Sequence, residues 1–344
     1  MPLARHWYNP CIMQRILSGI QATGIPHIGN YIGAIKHWLQ AQDAGTDSFY
    51  MIADLHAITT DFNPLTLQQN RLGALAGLLA CGLDPNKVTL FLQSDISAHT
   101  ELCWLLSSIT RMGELNRMTQ FKEKSDSYKG EAALALFSYP TLQAADILLY
   151  KATHVPVGHD QKQHIELTRD IAQRFNSQFG QLFPLPEPVI PNVGARVMDL
   201  QNPERKMSKS GNVTGLGVIF LNDSNDDIVR KVKRSVTDTQ AVVRYSEDKP
   251  GISNLMTLLA ACLGKDIEMI EKEYEGKNYG AFKNDVAEAL IELVSPIRSR
   301  FEELVQNKQY LNQSLRSSIE RARALSRDTL LEARDKMGLR SFLE

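Results

Sequence analysis

Cysteine is scarce. Cys11, Cys81, Cys103 and Cys262 are scattered and form no CxxC pair. That spacing argues against a disulfide framework and a structural zinc site and for a reducing compartment. An excess of either charge is missing too: 38 Lys and Arg stand against 39 Asp and Glu, a net charge of −1. No global field draws the protein onto nucleic acid, so any RNA contact has to come from local basic patches. No apolar run approaches the length that spans a bilayer. Acids are absent before Asp43, whereas Arg5 and Arg15 come early. Such a start is compatible with a remnant of an organelle-targeting segment. Serine is absent before Ser18, however, and Pro2 and Pro10 interrupt, so residues 1–12 read as a short disordered extension. The expected location is the cytoplasm, with the mitochondrion as the alternative.

What is present suffices for a full core and two domains: 344 residues, 43% of them hydrophobic. Residues 13–18 read as a short buried strand. Ile32, Ile35, Trp38 and Leu39 then recur on one helical face before Gly45. Between them, 19–33 is a strand-to-helix turn rich in glycine, able to bring backbone close to a ligand and N–H groups toward phosphate. Its glycines do not keep the dinucleotide-binding spacing. Strands at 48–53 and 88–93 alternate with helices opened by Asn63-Pro64 and at Ala98, which predicts a parallel, Rossmann-type sheet. Gln21, Asp54, His56 and Gln93 fall near the carboxyl ends of its strands, where ligands bind.

Residues 113–150 read as mostly helical around a polar stretch at 122–130. A fourth strand at 153–157 leads into a helix from Asp160, and the prolines of 184–191 make a stiff connector. Residues 196–200 are expected to return to the sheet ahead of the cationic, hydroxyl-rich loop at 206–210. From Asp226 onward the pattern is helical, without internal repeat. The boundaries are 13–222 for the α/β domain, with a helical insertion at about 110–150, and 223–344 for a helical domain whose last helix can pack back.

Alone, 206–210 is an ordinary solvated loop and His27 an ordinary cap. Together they carry more. His27-Ile28-Gly29-Asn30 and Lys206-Met207-Ser208-Lys209-Ser210 resemble the two motifs of class I aminoacyl-tRNA synthetases quoted as HIGH and KMSKS, the second in full and the first with Asn30 for the final His. The intervening segments 18–21 (SGIQ), 53–59 (ADLHAIT), 113–125 (GELNRMTQFKEKS), 144–150 (AADILLY) and 158–164 (GHDQKQH), then 241–254, resemble the tryptophanyl-tRNA synthetases of compact bacterial or organellar type.

That resemblance implies ATP, handled as its Mg²⁺ complex, L-tryptophan and tRNA(Trp) as partners. It also implies a homodimer with its interface around 113–121, and neither a membrane nor a protein-bound metal. Lys206, Lys209 and His27 become the catalytic candidates. The ATP contacts become Gln21, Ala22, Thr23, Gly29, Asn30, Gly158, His159, Asp160, Val197, Lys206, Met207, Ser208, Lys209 and Ser210. The tryptophan contacts become Asp146, Tyr139, Gln143, His56 and Gln161.

Several of these have a chemical reason in the sequence itself. Two ammonium groups on one loop can neutralise the charge that builds as pyrophosphate leaves. A Cβ at residue 29 is expected to push a ligand away. Tyr139, Gln143, Asp146 and Tyr150 share one helix face, and a carboxylate amid AADILL needs a partner. Either it pairs with a structural Arg, or it accepts the indole N–H, a group that only donates. Arg230 to Arg234 and the arginines of 316–327 are candidate phosphate contacts or solvated helix faces, and the helical domain is the expected place for reading unstacked anticodon bases.

Two departures stand out. Gln143 replaces the familiar bacterial Met and resembles the organellar branch. His159 replaces the usual Glu; either its backbone alone meets ATP or nucleotide binding is weaker. The rival readings are a tyrosyl-tRNA synthetase, which shares the fold and a Gly-x-Asp-Gln turn, a small-metabolite adenylyltransferase, and a non-catalytic RNA-binding descendant.

Overall fold

The computed structural model describes residues 14–119, 133–190, 196–209 and 215–342, and of His159 only the backbone. Five parallel strands form one sheet in the order β3-β2-β1-β4-β5. They are β1 Arg15–Gln21, β2 Asp47–Ala53, β3 Thr89–Leu92, β4 His154–Pro156 and β5 Glu187–Val189. From Ser48 to Ala53 every residue of β2 is buried, because helices cover both faces of the sheet and no solvated side remains for alternation. The chain leaves β1 first toward β2 and later returns to β4 on its other side. This order reversal opens a crevice beyond the carboxyl ends of β1 and β4.

Three local expectations change. β1 does not stop at Ser18 but runs through Gly19 to Gln21, in register with Met51 and Ala53 of β2. Gly19 is a strand residue whose missing Cβ leaves room for the Met51 carbonyl oxygen, 3.2 Å from where that carbon would lie. The proline connector contains β5, with Pro188 opposite Val155; an edge strand tolerates a residue that cannot donate to the ladder. Residues 196–200 do not rejoin the sheet. They form a single antiparallel bridge, Met198 to Lys206.

The longer helices are α1 Lys36–Asp43, α2 Pro64–Ala80, α3 Ala98–Ser107, α4 Leu134–Leu149, α5 Lys162–Phe179, α6 Asn225–Lys233, α7 Pro250–Leu263, α8 Tyr279–Gln306 and α9 Lys308–Lys336. A helical turn, Ile28–Asn30, and a π-helical stretch, Tyr31–Ile35, run straight into α1. One face of the sheet packs Ile28, Ile35, Trp38 and Tyr50 with Ile252 and Leu290 of α7 and α8. The other packs Phe49, Phe91, Ile147, Ile165 and Phe175 with Ala322 and Leu330 of α9. Helix α9 also lies along β3, the edge strand: Leu90 N donates to Ser318 Oγ at 2.5 Å, and that hydroxyl donates to the Val88 carbonyl at 3.3 Å. An edge that would otherwise present open hydrogen-bonding groups is covered.

Candidate active site

The glycine-rich turn is built around His27. Its backbone N donates to Asn30 Oδ1 at 3.1 Å, while Gly29 N donates to His27 Nδ1, also at 3.1 Å. This reciprocal cap satisfies donors that a helix start leaves unpaired, and it gives Asn30 a structural task. With Nδ1 accepting, a neutral ring carries its proton on Nε2 and can donate from there. Burial, then the charges of Lys209 and Lys206, hold the His27 pKa down to about 3. The ring is therefore neutral at physiological pH, a donor rather than a general acid–base. Gly29 also has a reason within the chain: an added Cβ would lie 3.0 Å from His27 Cε1 and Nδ1 and 3.5 Å from Val197 Cβ.

The cationic loop docks on this turn. Ile28 N donates to Ile219 O and Leu221 N to Pro26 O, which tie the turn to the chain just beyond the loop. Met207 N donates to Val197 O, and the Met207 side chain is buried in the core while Lys206 and Ser208 face outward. Methionine thus anchors the loop. Met207, Val197 and Ala22 all direct their side chains into the core, so each can offer a ligand only its backbone. Lys209 Nζ donates to the carbonyl oxygens of Thr23 at 2.8 Å and Ile25 at 2.5 Å, and to Thr23 Oγ1 at 3.2 Å. Burial lowers its pKa to about 8. Ser210 lies outside the described residues.

A cavity of about 250 Å³ opens at the carboxyl ends of β1 and β4. Gln21, His56, Tyr139, Gln143, Asp146 and Gln161 line it together. All the residues assigned to tryptophan by resemblance thus converge on one space. Gln161 joins them to the turn after β4: its Oε1 accepts from Gln143 Nε2 at 3.4 Å, and its Nε2 donates to Asp160 Oδ2 at 3.0 Å. Burial raises the Asp160 pKa, yet the Gln161 amide and the Lys206 charge bring it below the usual carboxylate value. Gly158 keeps the turn tight, since a Cβ there would lie 2.7 Å from Asp160 Oδ1.

Among the described residues, no arginine pairs with Asp146. Its Oδ2 accepts from His56 Nε2 at 2.8 Å and its Oδ1 from His99 Nδ1 at 2.6 Å, while Gln93 Nε2 donates to both oxygens at 2.8 and 2.9 Å. Burial raises its pKa, but the His56 and His99 hydrogen bonds prevail and lower it to about 2. His99 and the partnership of Gln93 with Asp146 are not visible in the sequence. His99 sits in α3 among Leu102 and Leu106, and its only signal is a histidine on an apolar helix face. Tyr150, expected on the same helix face, instead caps α4 just beyond Leu149 and stands behind the cavity, wholly buried, with its hydroxyl 2.9 Å from His99 Nε2.

The basic runs are largely committed within the chain. Lys231 is buried against Asp223 at 2.6 Å, and Arg230 pairs with Asp227. Arg321 reaches Asp47, and Arg323 donates to the Asp95 carbonyl. Lys233 and Arg234 stay exposed.

Comparison with known proteins places this geometry. A family model for class I tRNA synthetases (W and Y) matches residues 13–295. The tryptophan–tRNA ligase 2 of Streptomyces avermitilis is 48% identical over 327 residues, covering 94% of this chain and 96% of that protein. The chain belongs to the tryptophanyl-tRNA synthetases, class I. Among solved members of that family, the tryptophanyl-tRNA synthetase of Mycoplasma pneumoniae superposes with a TM-score of 0.86 at 38% identity, over 96% of this chain and 99% of that one. The enzyme of Campylobacter jejuni, solved with ADP and tryptophan, gives 0.81 at 36% identity, over 95% and 100%. No helix among the described residues is long and apolar enough to cross a membrane.

Proposed function

We propose that the chain activates L-tryptophan with ATP and passes the product to the 3′ end of tRNA(Trp). The observation that carries this is the convergence of His56, Tyr139, Gln143, Asp146 and Gln161 on one cavity that also takes in Gln21, the last residue of β1, from which the chain runs straight into the His27 turn where Lys209 docks. In the first step a tryptophan carboxylate oxygen bonds to the α-phosphorus as the bond to pyrophosphate breaks. No side chain needs to remove a proton, because the carboxylate is ionised already. Lys206 and Lys209 neutralise the departing pyrophosphate, and neutral His27 donates from Nε2 to a phosphate oxygen. Gln161 faces the substrate amino group, and Gly158, His159 and Asp160 meet the ribose side of ATP. In the second step a hydroxyl of the terminal tRNA ribose attacks the acyl carbon and AMP leaves.

Mg²⁺ enters bound to ATP. Lys206 and Lys209 are cationic groups of this chain that would offset phosphate charge beside it.

Indole selection rests on Asp146, an ionised acceptor at the cavity floor. The indole N–H is a donor only, whereas phenylalanine gives a buried carboxylate nothing and is rejected. The helical region from about 223 onward offers the anticodon contacts, with Lys233 and Arg234 exposed for phosphate. Trp104, Met112 and Leu134 are 79%, 66% and 78% exposed on elements that pack together beside 113–121, which supports a homodimer interface there; residues 120 and 121 lie outside the described residues.

Amino-acid-dependent ATP–pyrophosphate exchange with all twenty amino acids tests the proposal. Exchange with tryptophan alone is expected. Preference for tyrosine would move the chain to the tyrosyl reading, and no exchange at all would favour the non-catalytic one.

A further inference from the structure

The carboxylate at the cavity floor is supported from two sides, and the sides differ. His56 belongs to the cavity lining; Gln93, His99 and Tyr150 do not, and all are completely buried behind Asp146. His99 has both ring nitrogens engaged, Nδ1 at 2.6 Å from Asp146 Oδ1 and Nε2 at 2.9 Å from the Tyr150 hydroxyl. An ionised carboxylate can only accept, so Nδ1 carries a proton. In the neutral ring Nε2 then accepts, and the Tyr150 hydroxyl donates to it. Every proton in this chain points toward Asp146. With Gln93 spanning both oxygens, the plane of the carboxylate is fixed from behind, and each oxygen already accepts two hydrogen bonds. A donor arriving from the cavity meets one contact it can exchange with, the His56 bond to Oδ2.

We infer that His99, held by Tyr150, is a positioning residue for amino-acid selection: it keeps Asp146 ionised and oriented so that a substrate N–H takes the Oδ2 site in exchange for His56. This rests on the reading of Asp146 as the indole acceptor. The buried arm stays intact during the exchange, so the carboxylate never loses more than one donor. A buried anion is costly when left unpaired, and here the incoming donor replaces the outgoing one.

The test compares tryptophan with its benzothiophene analogue, 3-(benzothiophen-3-yl)alanine, in which sulfur replaces the indole N–H and the shape is nearly kept. ATP–pyrophosphate exchange is measured on the full chain for the parent, His99→Phe, His99→Asn, Tyr150→Phe and Asp146→Ala. His99→Phe keeps the ring volume without a donor; it should raise KM for tryptophan at least about tenfold, the scale of a hydrogen bond to a charged group. KM for the analogue and for ATP should move little, so the preference for tryptophan shrinks. His99→Asn, which restores an N–H toward Asp146, should recover much of that preference. Tyr150→Phe should fall between them.

If His99→Phe keeps its thermal midpoint and the full preference, the inference is overturned. It is overturned equally if KM rises in parallel for tryptophan and the analogue, the mark of a merely structural role. Asp146→Ala, which leaves no acceptor for the indole N–H, separates the two levels. If it abolishes the preference while His99→Phe does not, only the positioning role fails. If it too leaves the preference intact, the reading of Asp146 itself fails.

Discussion

The Lys209 ammonium rests on the Ile25 carbonyl oxygen at 2.5 Å, a contact between residues 184 positions apart that joins the two signature segments directly. The charge is thus stored on the turn that the proposed reaction faces, held by carbonyl dipoles rather than by a carboxylate. A phosphate group is a stronger partner for an ammonium than backbone carbonyls are, so the same lysine can transfer to pyrophosphate as it leaves.

Lys209→Ala should lower the rate of adenylate formation by roughly two orders of magnitude or more, the scale of removing one contact made in the transition state. Tryptophan affinity should hardly change. Burial holds the Lys209 pKa down to about 8, so the active cation is present below that pH and is lost as pH rises through it. The value of kcat/KM for ATP should therefore decline above about pH 8, and Lys209→Arg, whose guanidinium keeps its charge, should remove the decline. A profile flat to pH 9.5 in the parent would contradict this assignment.

Gly29 of the turn and Gly33 of the π-helical stretch that follows it should respond oppositely. Gly29→Ala puts a Cβ 3.0 Å from the His27 ring. The ring has to turn away and its cap on Gly29 is lost, at a cost of about 1 kcal/mol in urea denaturation, together with a raised KM for ATP. At Gly33 a Cβ meets nothing within 4 Å. Gly33→Ala should be neutral or stabilising by up to about 1 kcal/mol, because glycine within a helix is the entropically poorer residue.

The signature segments were legible because each combines backbone demands with chemistry, and β2 was legible because 49–53 is one apolar run. β5 was not: Pro186 and Pro188 argue against a strand unless its edge position is known. Lys231 sits in a basic run, and only the fold shows it buried against Asp223. His99 was beyond sequence reasoning for the same cause. Its partners, Asp146 and Tyr150, lie 47 and 51 positions away and meet it only when α3 packs on α4.

His159→Glu restores the residue usual in the family. The His159 backbone lies in the short helical turn His159–Gln161, next to Asp160. If that backbone makes the ATP contact, KM for ATP should change by less than about tenfold, near 1.4 kcal/mol. A far larger gain in affinity would mark the parent as a weakened enzyme.

Trp104→Asp and Met112→Asp test the proposed homodimer surface. Each places a charge on a strongly exposed apolar residue. Sedimentation should show the parent at twice the chain mass and either variant shifted toward the single chain, with the thermal midpoint nearly kept at high protein concentration only for the parent. A parent that sediments as a single chain would refute the interface.

The Ser318 hydroxyl reaches Leu90 across 228 residues of sequence. During synthesis the first three strands therefore leave the ribosome long before the residue that seals their border. At roughly 5–20 residues per second the delay is roughly 10–45 seconds. Throughout it the nascent sheet carries an open strand, able to pair with a neighbouring chain on the same message. Slowing translation after about residue 92 should then lower the soluble yield, whereas Ser318→Ala should do so even at normal speed.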